Sequence, residues 1–74
     1  MKKILITGAG GYIGTALVPS ILKSKKYKVI AVDRFFFGNF LNKNKNLKII
    51  YEDIRNLPES LFKWVYAVIH LVAI

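Results

Sequence analysis

The sequence predicts an α/β fold built as a parallel four-stranded half-sheet in the spatial order 3-2-1-4. Three observations carry this. Four apolar runs, "KILI", "KVIAVD", "LKIIYEDI" and "YAVIHLVAI", lack the polar alternation of a half-solvated sheet. That marks strands covered on both faces, as parallel strands are. The first run passes directly into a segment of helical period, and right-handed crossovers then put the second strand beside the first and the fourth on its other side.

Each element follows from local signals. Residues 3 to 6 form the first strand, stopped by Thr7 and Gly8. From Tyr12 onward Ile13, Ala16, Leu17 and Ile21 recur at helical spacing, so "YIGTALVPSILKSKK" predicts an amphipathic helix. Pro19 inside it removes a backbone donor and predicts a kink or a loosened turn. Lys23, Lys25 and Lys26 fall at the negative end of the helix dipole, where cations are favoured. Residues 28 to 33 form a second strand that stops at Asp33. "RFFFGNFLNKNKN" has no clean period, and Gly38 and its asparagines make it a loop. A third strand starts at Leu47 and ends at the acids Glu52 and Asp53. "LPESLFKW" is one short helix at most, with Pro58 in its first turn. Residues 66 to 74 form the fourth strand. The whole is a Rossmann-type half-sheet, an incomplete doubly wound fold. Its ligand crevice is expected at the carboxyl ends of strands one and four, where the order reverses.

Composition narrows the function classes. At 74 residues the chain is one small domain or part of a larger one, and it is 54% hydrophobic. Cysteine is absent, which excludes disulfides and thiolate metal sites and fits a reducing compartment. The apolar stretch after "MKK" is too short for a signal-peptide core, and every longer run is interrupted by Lys, Asn, Asp or Gly before it reaches membrane-span length. A cytoplasmic protein with no membrane partner is the expectation. The net charge of +8 raises a nucleic-acid partner, but the lysines lie in loop-like stretches such as "NKNKNLK". No arginine cluster is interleaved with aromatics as a base-stacking surface requires. A solvated lysine surface is the plainer reading. His70 lies on an apolar strand without a second histidine to share a metal, so a core role is expected and no metal site.

The chemistry concentrates in "TGAGGYIG". Gly8, Gly11 and Gly14 stand three apart, directly after a strand and at the start of a helix. A glycine run alone is a weak signal, since turns collect glycine. A preceding strand, a following helix and an acid ending the next strand make it specific. Gly8 permits the tight turn, Gly11 lets backbone N–H groups approach a pyrophosphate, and Gly14 lets the helix pack close to the sheet. The phosphate charge would meet the helix N-terminus. Asp33, about 20 residues beyond Gly14, is placed to accept both hydroxyls of an adenosine ribose.

These residues resemble those of the extended short-chain dehydrogenases/reductases, the NAD-dependent epimerase/dehydratase family acting on nucleotide sugars. "TGAGGYIG" is similar to the family's TGxxGxxG. "VDRFFFGN" resembles the loop after its second strand, "EDIR" the acid-plus-apolar pair after its third, and "AVIHLVAI" its fourth strand, so the resemblance covers the whole chain. It implies that Gly8, Gly11, Tyr12, Ile13 and Gly14 line the pyrophosphate, with Asp33 on the adenosine ribose and Arg34 beside the adenine. Asp53 and Ile54 would border the adenine ring, although Asp53 also fits a helix-capping role. Leu71, Val72 and Ala73 would pass under the ribose nearest the nicotinamide. Phe35, Phe36 and Phe37 fit an adenine contact and a hydrophobic plug equally. The implied cofactor is NAD, because Asp33 repels a 2′-phosphate; Arg34 keeps NADP open, since a guanidinium accepts that group. Two positions depart from the family. Val72 stands where Ala is usual and adds bulk beside the cofactor. Tyr66 stands where Asp usually opens the fourth strand, a change expected to affect only a turn.

The family's chemistry also requires a Tyr-x-x-x-Lys pair, and none is present. Tyr12, Tyr27, Tyr51 and Tyr66 are followed four places on by Ala16, Ala31, Arg55 and His70. No catalytic residue is therefore assigned. The expectation is that residues 1 to 74 are the N-terminal part of an NAD(P)-binding domain, cut short before the catalytic pair. The parent would be an epimerase or dehydratase that takes a nucleotide sugar. A non-catalytic dinucleotide-sensing module is the alternative, and a basic nucleic-acid-binding protein a more distant one.

Overall fold

The computed structural model describes residues 1–36 and 38–71. Strand β1 (Lys2–Thr7) leads through the glycine turn into α1 (Tyr12–Lys23), and β2 (Tyr27–Asp33) returns beside β1. After the long loop come β3 (Leu47–Tyr51), two 3₁₀ turns (Ile54–Asn56 and Glu59–Phe62) and β4 (Val65–His70). All pairings are parallel and the order is β3-β2-β1-β4, the 3-2-1-4 sheet expected.

The core forms on both faces of β1 and β2, which is why those runs carry no polar alternation. On one face Ile4, Ile6, Val29 and Ala31 pack against Val18 and Leu22 of α1. With Gly14, these two helix residues form the buried i, i+4, i+8 stripe of α1. On the other face Leu5, Ile30 and Val32 are covered by Leu57 and Leu61 from the segment of the 3₁₀ turns. Both-face burial does not extend to β4. Along β4 Tyr66, Val68 and His70 are exposed. Val68 and His70 lie on the face of the 3₁₀ turns, whose cluster reaches only Val65 at the start of the strand, while Tyr66 lies on the helix side with its ring 6.5 Å from that of Tyr27.

Several boundaries shift for physical reasons. α1 runs on through Pro19 without breaking and ends at Lys23, not at Lys26. The Ser24 hydroxyl donates to the Ile21 carbonyl at 2.6 Å. The Lys25 N–H caps the Leu22 carbonyl, and left-handed backbone at Lys25 (φ 60°) closes the helix. The short helix predicted over 57–64 is instead a 3₁₀ turn, Glu59–Phe62, with Pro58 as its N-cap, and a further 3₁₀ turn not expected from the sequence, Ile54–Asn56, follows Asp53 as its N-cap. Tyr66 is inside β4, not in a turn. It is skipped between the pairs Lys3–Val65 and Ile4–Ala67, which makes it the extra residue of a bulge. Lys2 Nζ lies 4.1 Å from the centre of its ring. The long loop is irregular as expected, but it sends Phe35 and Leu41 into the helix-side core.

Candidate functional site

The glycine turn sits at the carboxyl end of β1, and each glycine in it has a different physical reason. Gly8 adopts left-handed backbone (φ 72°), the sharp turn out of the strand that disfavours any side chain. Gly14 is tied to the turn itself. A Cβ there would lie 2.6 Å from the Cα and carbonyl carbon of Ala9, so its close approach is to the turn backbone and not to the sheet. Gly11 has ordinary φ (−76°), and a Cβ on it would meet nothing nearer than the Gly8 carbonyl oxygen at 3.4 Å. The fold does not need a glycine at 11; the empty space beside it does.

That space faces the start of α1. The first helical bond runs from the Thr15 N–H to the Gly11 carbonyl at 2.9 Å, so the N–H groups of Tyr12, Ile13 and Gly14 stand ahead of the helical ladder. No side chain caps this end, and the first turn carries no acid. Tyr12 and Ile13 project their side chains into solvent, Tyr12 almost completely at 96% exposure. The result is an uncapped helix start with open volume in front of it, a receptor for an anionic group.

Asp33, at the end of β2, is held from two sides. Its Oδ2 accepts the Gly10 N–H at 3.0 Å and its Oδ1 the Phe35 N–H at 2.7 Å. Each oxygen keeps a free lone pair, so the carboxylate can still accept a diol. Phe35 itself is a plug. It is buried, left-handed (φ 53°), and stacked at a tilt on Tyr51 with ring centres 5.0 Å apart. A Cβ on Gly10 would lie 2.6 Å from the Phe35 ring. Gly10 thus belongs to the site although the three-residue spacing passes over it. Phe37 lies outside the described residues.

Across the crevice floor, Asp53 gathers two arginines. Arg55 Nη2 reaches its Oδ2 at 2.6 Å, and Arg55 Nε donates to both oxygens. Arg34 Nη1 lies 3.5 Å from the same Oδ2. The Asp53 carboxylate also accepts the Arg55 backbone N–H at 2.9 Å, which caps the first 3₁₀ turn and holds Ile54, half-buried, beside it. The capping role is therefore real. Hydrogen bonds from Arg55 hold the Asp53 carboxyl well below the usual carboxylate range and raise the Arg55 guanidinium in turn. Arg34 also lies over the exposed ring of Phe36, its guanidinium carbon 4.2 Å from the ring centre.

At the carboxyl end of β4, His70 Nδ1 and the buried Thr7 hydroxyl are 2.9 Å apart. His70 is exposed, which corrects the expectation of a core histidine. Leu71 is half-buried and donates its N–H to the Thr7 carbonyl at 2.9 Å, extending the β1–β4 pairing by one bond. Val72 and Ala73, and with them the crowding expected of Val72, lie outside the described residues. Among the described residues no group of three potential metal ligands comes together, and no helix is long and apolar enough to cross a membrane.

Gly8 to Gly14, Asp33, Arg34, Asp53, Ile54 and Leu71 thus share one end of the sheet. The signal that sequence spacing missed is Gly10, whose role depends on a contact with residues more than 20 positions away.

Known proteins share this fold. The chain is 44% identical over 64 residues to the uncharacterized UDP-glucose epimerase YtcB of Bacillus subtilis, covering 85% of this chain and 18% of the relative. It is 34% identical over 74 residues to UDP-glucuronic acid decarboxylase 6 of Arabidopsis thaliana, covering 93% of this chain and 21% of the relative. The chain therefore spans roughly a fifth of the length of these curated relatives. Among solved structures, UDP-glucuronic acid 4-epimerase of Bacillus cereus in complex with NAD superposes with a TM-score of 0.82 at 32% identity, over 97% of this chain and 27% of that one. The dTDP-glucose 4,6-dehydratase of Bacillus anthracis, also in complex with NAD, gives 0.85 at 28% identity, over 100% of this chain and 27% of that one. Residues 4–74 match the NAD dependent epimerase/dehydratase family, and the chain belongs to it.

Proposed function

We propose that these residues are the dinucleotide-binding front of a nucleotide-sugar epimerase or dehydratase and that they hold NAD. The observation that carries this is the open space at Gly11 before an uncapped helix start, at the carboxyl end of β1. In this reading Gly8, Gly11, Tyr12, Ile13 and Gly14 line the pyrophosphate, and the N–H groups of Tyr12 to Gly14 are its donors. Asp33, fixed by Gly10 and Phe35, accepts the adenosine ribose hydroxyls. Arg34, Asp53 and Ile54 border the adenine, while Leu71, Val72 and Ala73 pass under the nicotinamide ribose. When bound, NAD supplies the hydride acceptor; this chain's own residues bind and orient it.

The nucleotide sugar, and the tyrosine and lysine that would move protons on it, belong to residues beyond these 74, which form the N-terminal part of an NAD(P)-binding domain. A dinucleotide-sensing module without chemistry is the second reading, favoured by the lack of any Tyr-x-x-x-Lys. Reading the gene past this segment separates the two, since a continuation carrying that motif identifies the enzyme. Binding itself is tested by titrating NAD into a chain carried on past residue 74 and following the amide resonances of these residues. Shifts at Gly11 to Gly14 and at Asp33 are expected. Shifts confined to the opposite end of the sheet would overturn the reading.

A further inference from the structure

We propose that Asp53 and Phe36 act as a tether that keeps Arg34 from serving as a phosphate ligand, and that this tether sets the chain's choice of NAD over NADP. The proposal rests on the cofactor reading above and extends it to residues outside the glycine turn.

Two groups decide whether a 2′-phosphate is tolerated beside the adenosine ribose: the acid under the ribose and any cation within reach. The acid cannot move away. Asp33 is pinned through both oxygens by backbone donors, at 3.0 Å from Gly10 and 2.7 Å from Phe35. Its charge therefore stays where a 2′-phosphate would have to sit. A guanidinium is the group best able to offset that repulsion, and Arg34 is the next residue.

Arg34 is engaged elsewhere. One of its terminal nitrogens faces Asp53 Oδ2 at 3.5 Å, and its plane lies over the Phe36 ring at 4.2 Å. A guanidinium turned to a carboxylate has fewer donors left for phosphate, and much of its charge is already answered. The ring supplies a second, weaker hold. Asp53 is in turn fixed by Arg55, which grips it bidentately, so the anchor does not follow Arg34 if Arg34 swings out. One carboxylate thus occupies two arginines. Without it, Arg34, the residue next to Asp33, would lose its carboxylate partner and be free to turn to a phosphate. Asp53 and Phe36 are positioning residues in this scheme, acting through Arg34.

The test is the ratio of NADP to NAD dissociation constants, measured by titration of a chain carried on past residue 74 and of its variants. The wild-type chain is expected to prefer NAD. Asp53→Asn keeps the shape and an acceptor for the 3₁₀ cap, and it should shift the ratio toward NADP by about tenfold, the scale of a gained charge-assisted contact. Phe36→Ala, at an exposed ring, should shift it in the same direction by less. Arg34→Ala placed on top of Asp53→Asn should return the ratio to the NAD side. The adenine is common to both dinucleotides, so a weaker hold on it lowers both affinities alike and leaves the ratio unmoved. The double variant separates the tether from the direct loss of the Asp53 charge and from the release of Arg55. NAD binding with an unchanged ratio in both Asp53→Asn and Phe36→Ala overturns the tether and spares the cofactor reading. A shift that persists without Arg34 overturns it as well. Failure of NAD to bind the wild-type chain overturns the cofactor reading and the tether together.

Discussion

Gly11 and Gly14 look equivalent in the sequence and are opposites in the structure. At Gly11 the fold has room for a side chain, so Gly11→Val should cost only about 1 kcal/mol, the effect of a poorer N-cap. It should leave the far-ultraviolet spectrum near that of the wild type while abolishing NAD binding, because the side chain fills the ligand's volume. At Gly14 a methyl group would press into the backbone of Ala9, which cannot rotate away. Gly14→Ala should therefore destabilise the turn and helix by about 1–3 kcal/mol, with visible loss of helical signal. Equal spectra for the two variants, or retained NAD binding in Gly11→Val, would overturn this division of roles. The spacing of three marked both residues alike and could not say that the fold requires a glycine at 14 and has room at 11. That depends on what stands opposite each missing Cβ. Asp33 was legible for a related reason, since it ends a strand at the expected separation. Gly10 and the Arg34–Asp53 pair were not, because their partners are brought in by β2 and by the segment after β3.

At the scale of elements, β1 and β2 were legible because both their faces are buried, and unbroken apolar runs are the direct record of that. The 3₁₀ turns and the bulge at Tyr66 left no such record. Their residues are mostly exposed, so the sequence there is only weakly constrained by burial. The charge pattern adds a consequence of register. Lys3 and Lys28 are direct partners across β1 and β2, and with Lys45, Lys48 and Lys63 they line one cavity of about 390 Å³ at the amino ends of the strands. Among the described residues, both ion pairs go to Asp53, so none answers these lysines. Like charges directly opposite each other on adjacent strands are destabilising. Lys3→Glu should convert the repulsion into a cross-strand pair and strengthen the sheet by about 0.2–1 kcal/mol. Amide hydrogen exchange should show it as slower exchange in β1 and β2 at low salt. The gain should shrink as salt screens the pair. A gain that ignores ionic strength would mean the effect is not electrostatic.

For the whole molecule, compactness and closure separate. The radius of gyration is 11.2 Å, and a compact chain of this length is expected at roughly 11 Å. The accessible surface, however, is 5462 Å², against roughly 4,600 Å² for a closed monomer of this mass. Part of the excess lies where the sheet is uncovered. α1 shields one face, the two 3₁₀ turns reach only part of the other, and Val68 on that face stands exposed, as do Phe62 and Trp64 just before β4, Trp64 at 82%. With somewhat over half of about 850 Å² apolar, the unburied surface forgoes on the order of 12 kcal/mol at about 25 cal/mol/Å². That equals the whole net stability of an ordinary domain, about 5–15 kcal/mol. These 74 residues alone should therefore behave as a loose monomer or self-associate through the open face and the β4 edge. Purified, they should show no cooperative thermal transition and bind NAD only weakly. Calorimetry combined with sedimentation tests the argument. A sharp, reversible melt from a monomer would show that α1 and two 3₁₀ turns suffice to close this sheet, and would move the functional reading to the dinucleotide-sensing module.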